Sequence, residues 1–109
     1  MKIKEGASIT GLHPVMRPVL RVAESVWITH GREEGATITG GLDGIHSAGS
    51  WHYYGLAVDL RTHYFDDFVK KEVAADLIDA LPEYDVVVHS THIHVEVGNN
   101  LAKQIGVYF

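Results

Sequence analysis

Ser50-Trp51-His52-Tyr53-Tyr54-Gly55-Leu56-Ala57-Val58-Asp59-Leu60-Arg61 is the stretch on which the fold of this chain turns. Its second half alternates: Leu56, Val58 and Leu60 fall on one side of an extended strand, and Ala57, Asp59 and Arg61 on the other. The first set is core. The second places an acid and a base on a face that must be wet or occupied. A second stretch follows the same logic. In His92-Ile93-His94-Val95-Glu96-Val97 the polar residues His92, His94 and Glu96 share one face, and the aliphatics Ile93, Val95 and Val97 share the other. If these two strands pair in one antiparallel sheet, Asp59 and His94 can be neighbours.

Outward from these strands, the pattern predicts helices. Val15, Met16, Val19, Val22, Ala23 and Val26 recur at helical spacing, with Pro14 suited to a lead-in turn, a regular start near Arg17 and a stop at Gly31. Phe65 to Leu81 reads as a second helix with an apolar stripe of Phe65, Phe68, Val69, Val73, Leu77, Ile78 and Leu81, ended by Pro82. Its acid-first pairs Asp66/Lys70 and Asp67/Lys71 read as a solvated face. Ala36 to Thr39 reads as a short strand ended by Gly40-Gly41, Leu42 to Gly49 as a loop, and Tyr84 to Val88 as a buried-type strand. The tail from Leu101 to Phe109 is either an edge strand or a short helix. The expected architecture is one α+β domain spanning residues 1–109, with a small antiparallel sheet and helices packed on one face.

Composition narrows the function. The 109 residues are 46% hydrophobic and 21% charged, ordinary for a folded domain. The net charge of −5, with no basic run, argues against nucleic acid as the main partner. The chain has no cysteine, which removes thiolate metal sites and cysteine nucleophiles. No apolar run is long enough for a membrane span. Met1-Lys2-Ile3-Lys4-Glu5 carries no secretory signal, so synthesis in the cytosol is expected.

Eight histidines in so short a chain stand out, and His46, His52, His92 and His94 lie in or beside the two stretches. Two histidines and a carboxylate are a donor set that suits zinc with one position left open. On this reading His52, Asp59 and His94 hold one zinc ion, which would lower the pKa of its water toward neutrality. His92 and Glu96 flank His94 on the same face, so either could handle a proton.

Ser50, His52, Gly55, Ala57 and Asp59 reproduce the S-x-H-x-x-G-x-A-x-D pattern of zinc D-alanyl-D-alanine peptidases and related peptidoglycan peptidases. His92-Ile93-His94 resembles their second motif, H-x-H, shared with lysostaphin-type enzymes and the Hedgehog signalling domain. The resemblance covers roughly residues 36 to 97. It implies a Hedgehog/DD-peptidase-like fold, zinc ligands His52, Asp59 and His94, and a catalytic or transition-state-stabilising role for His92. His46 matches a histidine near the zinc of the Hedgehog domain, with a plain loop histidine as the alternative.

The departures are specific. His89 stands three residues before His92, where carboxypeptidases of the group often carry a glutamate base. An S-G-Y-R segment whose arginine grips a substrate carboxylate appears as Thr39-Gly40-Gly41-Leu42, leaving Arg61 or Arg32 as substitutes. Only Asp43 remains of the Hedgehog calcium cluster, so no calcium is expected. The function implied is a zinc peptidase cutting peptidoglycan peptides, in the manner of a phage lysin or virion-carried enzyme. Ser50, Trp51, Tyr53, Tyr54 and Arg61 would line its cleft, with the general base left among His92, His46, His89 and Glu96. The alternative is a zinc-bearing, non-catalytic Hedgehog-like binding module.

Overall fold

The computed structural model describes residues 1–40 and 55–106. In chain order the elements are β1 (Lys2–Ile3), a 3-10 turn (Pro14–Met16), α1 (Arg17–Thr29), β2 (Thr37–Gly40) and β3 (Ala57–Arg61). They continue with α2 (Asp67–Ala80), β4 (Tyr84–Val88), β5 (His92–Val97) and α3 (Asn99–Gln104). The five strands form one sheet in the order β1-β2-β3-β5-β4, and the protein is α+β.

Alternation decides which face of the sheet is buried. Leu56, Val58, Leu60, Ile93, Val95 and Val97 are all essentially inaccessible and pack with Met16, Val19, Ala23, Val26 and Trp27 of the first helical segment and Val73, Ala74 and Leu77 of α2. Burying such side chains contributes roughly 1.5–3 kcal/mol each. That face carries the helices, which leaves the opposite face of β3 and β5 for polar residues. Trp27 ties the layers together: its indole N–H points at both the Arg61 carbonyl (3.1 Å) and the Tyr64 hydroxyl (3.0 Å).

The helix starts follow their local chemistry. Pro14 opens the 3-10 turn, and the His13 ring accepts the Val15 N–H at 2.9 Å, so α1 begins at Arg17 as expected. Gly31 follows α1 with φ +95, a conformation that suits glycine. At α2, the Asp66 carboxylate caps the helix by accepting the Val69 N–H at 2.8 Å. Asp66 thus acts as a cap, and Lys70 reaches Asp67 at 3.9 Å, an i,i+3 pair, and the Ser90 carbonyl at 3.2 Å.

Three expectations are corrected. The apolar stripe of α2 is narrower than its periodicity implies: Phe68 is 70% exposed and Ile78 56%. Among the described residues β4 is an edge strand, paired with β5 alone, and its Val87 and Val88 are exposed. The sheet is not antiparallel throughout: β1 pairs parallel with β2, Lys2 opposite Thr37 and Ile3 opposite Ile38. A two-residue strand has no periodicity to read, so only the tertiary pairing reveals it. The described start of the tail lies in a short helix, α3, whose Leu101 and Ala102 are buried, and residues 107–109 lie outside the described residues.

Candidate functional site

The site is built by register. Asp59 on β3 stands directly opposite His94 on β5, and Arg61 opposite His92, within an antiparallel ladder running from Ala57↔Glu96 to Arg61↔His92. Period-two alternation then places Ala57, Asp59, Arg61, His92, His94 and Glu96 on one face. The expected pairing of Asp59 with His94 is observed.

At its centre, the Asp59 Oδ1 lies 2.9 Å from His94 Nδ1. The other ring nitrogen, Nε2, lies 2.8 Å from Glu96 Oε1. Carboxylates only accept hydrogen bonds, so satisfying both contacts requires the ring to donate through both nitrogens as an imidazolium. Burial alone would push the His94 pKa down. Its hydrogen bonds to Asp59 and Glu96, with the attraction of the two charges, outweigh that and hold it above the ordinary histidine value. His92 is adjacent, its Nε2 3.9 Å from the same Asp59 oxygen. Its ring stacks on His89 with centroids 4.6 Å apart and planes 24° from parallel.

Gly40 closes the other flank. It pairs with Asp59 across the β2–β3 ladder, next to a register shift between Ile38 and Gly40. A Cβ at Gly40 would stand 2.8 Å from Asp59 Oδ2 and 3.5 Å from its Cγ. The missing side chain is what lets the Asp59 carboxylate occupy its position.

Asp59 and His92 also border a cleft of about 380 Å³ lined further by Lys4, Thr39, Arg61, His63 and Thr91. Lys4, Arg61 and His63 make its lining basic, with Asp59 its one carboxylate among the described residues. Sequence reading anticipated Arg61 here but not Lys4, Thr39, His63 or Thr91. Lys4 follows the two-residue strand β1, and its N–H donates to the Ile38 carbonyl at 2.8 Å, a contact with no local sequence signal. Arg32, the other candidate for gripping a substrate, is engaged elsewhere: its guanidinium lies 3.9 Å from the centre of the Tyr64 ring.

The structure therefore brings together Asp59, Arg61, His92, His94 and Glu96, with His89 stacked on His92. The remaining sequence candidates, His46, Ser50, Trp51, His52, Tyr53 and Tyr54, lie outside the described residues. Set against protein-family models, curated proteins and solved structures, the chain matches none.

Asp59 and His94 supply two donors of the kind zinc takes. Two ligand atoms at zinc distances of about 2.0–2.1 Å and tetrahedral angles stand roughly 3.3 Å apart. The 2.9 Å between Asp59 Oδ1 and His94 Nδ1 needs only a few tenths of an ångström of opening. Among the described residues no three His, Asp or Glu side chains are grouped for a metal ion, and the third expected ligand, His52, is not one of them.

Proposed function

We propose that this chain is a zinc-dependent peptidase that hydrolyses peptide bonds of bacterial peptidoglycan, with His52, Asp59 and His94 as the ligands. The observation that carries the reading is the cross-strand pair Asp59–His94 with its oxygen and Nδ1 2.9 Å apart, at the edge of a polar cleft that His92 shares. Zinc held there supplies Lewis-acid polarisation of the scissile carbonyl and acidifies water. His92 is the proton handler: its side chain is one-third exposed, it borders the cleft, and its Nε2 stands 3.9 Å from Asp59 Oδ1. His46, on the resemblance, acts beside it. Arg61 and Lys4 orient substrate by attracting its carboxylates, in place of the arginine absent from Thr39-Gly40-Gly41-Leu42. Ser50, Trp51 and Tyr53 would contact the peptide. The setting proposed is a phage lysin or virion-associated enzyme acting on the cell wall. No helix among the described residues is long and apolar enough to cross a membrane.

A second reading, a zinc-bearing binding module without turnover, is favoured by one feature. The described cleft contains no carboxylate besides Asp59, and His89 stacks on His92 where peptidases of this kind carry a glutamate. Incubating zinc-loaded protein with purified peptidoglycan and mapping released fragments separates the two. New peptide ends support the peptidase. Their absence, with one zinc per chain, leaves the binding module, and no zinc by elemental analysis removes both. His52→Ala and Asp59→Ala should lose the metal, whereas His92→Ala should keep it and lose activity. Equal zinc loss from His92→Ala and His94→Ala would reverse the assignment within the His92/His94 pair.

A further inference from the structure

Glu96 has no place in the motif resemblance, yet it makes one of the shortest side-chain contacts at the site. Its Oε1 lies 2.8 Å from His94 Nε2, while Nδ1 of the same ring faces Asp59 at 2.9 Å. We propose that Glu96 is the positioning residue of the centre, holding His94 as the Nε2–H tautomer so that Nδ1 is the nitrogen presented to the metal. The inference rests on the zinc reading above and extends it to a residue and an atom.

Three observations carry it. First, the imidazole stands between the two carboxylates, one at each nitrogen, and Asp59, not Glu96, borders the cleft. Glu96 is therefore on the far side of the ring from the cleft-facing acid. This geometry suits an outer carboxylate better than a ligand or a base. Second, the contact is built into the strand. His94 and Glu96 are two apart on β5 and share a face, and the residue opposite Glu96 on β3 is Ala57, fully buried and carrying only a methyl group. A small neighbour leaves the Glu96 side chain free to run along the strand toward His94. Third, the pair is shielded: the side chains of His94 and Glu96 are only 15% and 23% exposed. Water competes poorly for the Nε2 proton in such a setting, so the carboxylate sets both tautomer and ring orientation. A metal-ligating histidine ordinarily donates its second N–H to such a partner, and removing the partner typically weakens metal affinity roughly 10–100-fold.

The test separates positioning from ligation. Zinc affinity is measured by competition with a chromophoric chelator for the full chain and for Glu96→Gln and Glu96→Leu. The His94 tautomer in the zinc-loaded protein is read from long-range proton–nitrogen NMR correlations. We expect an Nε2–H tautomer in the wild type, a loss of roughly 10–100-fold in affinity for Glu96→Leu, and recovery of most of it in Glu96→Gln, whose amide oxygen still accepts the N–H. An Nδ1–H tautomer overturns the proposal. So does affinity within about twofold of wild type in Glu96→Leu, or a Glu96→Gln loss as deep as that of Glu96→Leu, the behaviour of a direct ligand. If Glu96→Leu fails to melt cooperatively, the tautomer and the Glu96→Gln affinity decide. A wild-type protein that binds zinc and fails these criteria sinks this proposal alone, whereas one that binds no zinc sinks the parent reading as well.

Discussion

At the scale of single residues, His94 concentrates the electrostatics of the molecule. Burial alone would lower its pKa, but the hydrogen bonds and charges of Asp59 and Glu96 on either side of the ring raise it above the ordinary value near 6.5. The sign of the linkage follows. A folded-state pKa above the unfolded one contributes stability that is full below the unfolded value and is lost as pH rises through the folded one. The stability advantage of zinc-free wild type over His94→Gln should therefore be largest near about pH 5.5 and shrink steadily as the solution is made alkaline. Denaturant melts of both proteins across that range check it, and a gap that widens with pH would contradict the doubly hydrogen-bonded cation. On the proposed ligand set zinc would displace the proton from the same ring, so zinc affinity should weaken on acidification from a higher pH than for an unperturbed histidine.

At the scale of elements, the β2–β3–β5 ladder is what converts a sequence pattern into a site. Gly40 is the sensitive point on the β2 side. In Gly40→Ala the new methyl group would meet Asp59 Oδ2 at 2.8 Å and force the carboxylate to move. Because the atom met is the end of the Asp59 side chain, which can turn aside, we expect zinc affinity to fall at least about tenfold with little loss of stability. Paired chelator competition and denaturant melts would show it, and unchanged affinity would mean that Asp59 tolerates another position. Helix α2 offers the complementary test. Leu77 is fully buried and Phe68 70% exposed, although both lie on the stripe that periodicity marks as core. Leu77→Ala should cost about 2–5 kcal/mol, and Phe68→Ala less than about 0.5 kcal/mol. Similar costs for the two would show that Phe68 is covered in solution.

These elements also mark how far the sequence could be read. Strands β3 and β5 were legible down to the face of each side chain, because one side of each is aliphatic throughout and a one-residue slip would expose it. That parity puts Asp59 and His94 on one face, and the register of the β3–β5 ladder sets them opposite each other. The exposure of β4 was not legible, since Tyr84-Asp85-Val86-Val87-Val88 has the composition of a central strand, and position in a sheet is a property of its neighbours. The parallel β1 and the basic cleft were hidden for a related reason. They depend on Lys2, Ile3 and Lys4 meeting Ala36, Thr37 and Ile38 across more than 30 residues of chain. Glu96 was visible on the correct face, but only the side-chain geometry shows that it meets His94.

At the scale of the whole molecule, the division of labour between the two faces of the sheet determines how stability and metal should be coupled. The hydrophobic core lies between the sheet and its helices and contains none of Asp59, His92, His94 or Glu96. Folding is therefore expected without a metal, unlike in small domains whose only core is the ion. Zinc should still stabilise the folded chain by mass action, since the unfolded chain does not hold Asp59 opposite His94: at free zinc about 1,000-fold above Kd the gain is about 4 kcal/mol. For a domain near 100 residues that corresponds to a rise in Tm of roughly 15 °C or more. Melts over a series of buffered zinc concentrations should show a cooperative transition in chelator that moves upward with the logarithm of free zinc and keeps its steepness. A chelated protein with no cooperative transition would place the metal inside the folding nucleus instead. A Tm indifferent to zinc would mean that the Asp59–His94 pair, for all its geometry, is a hydrogen bond and nothing more.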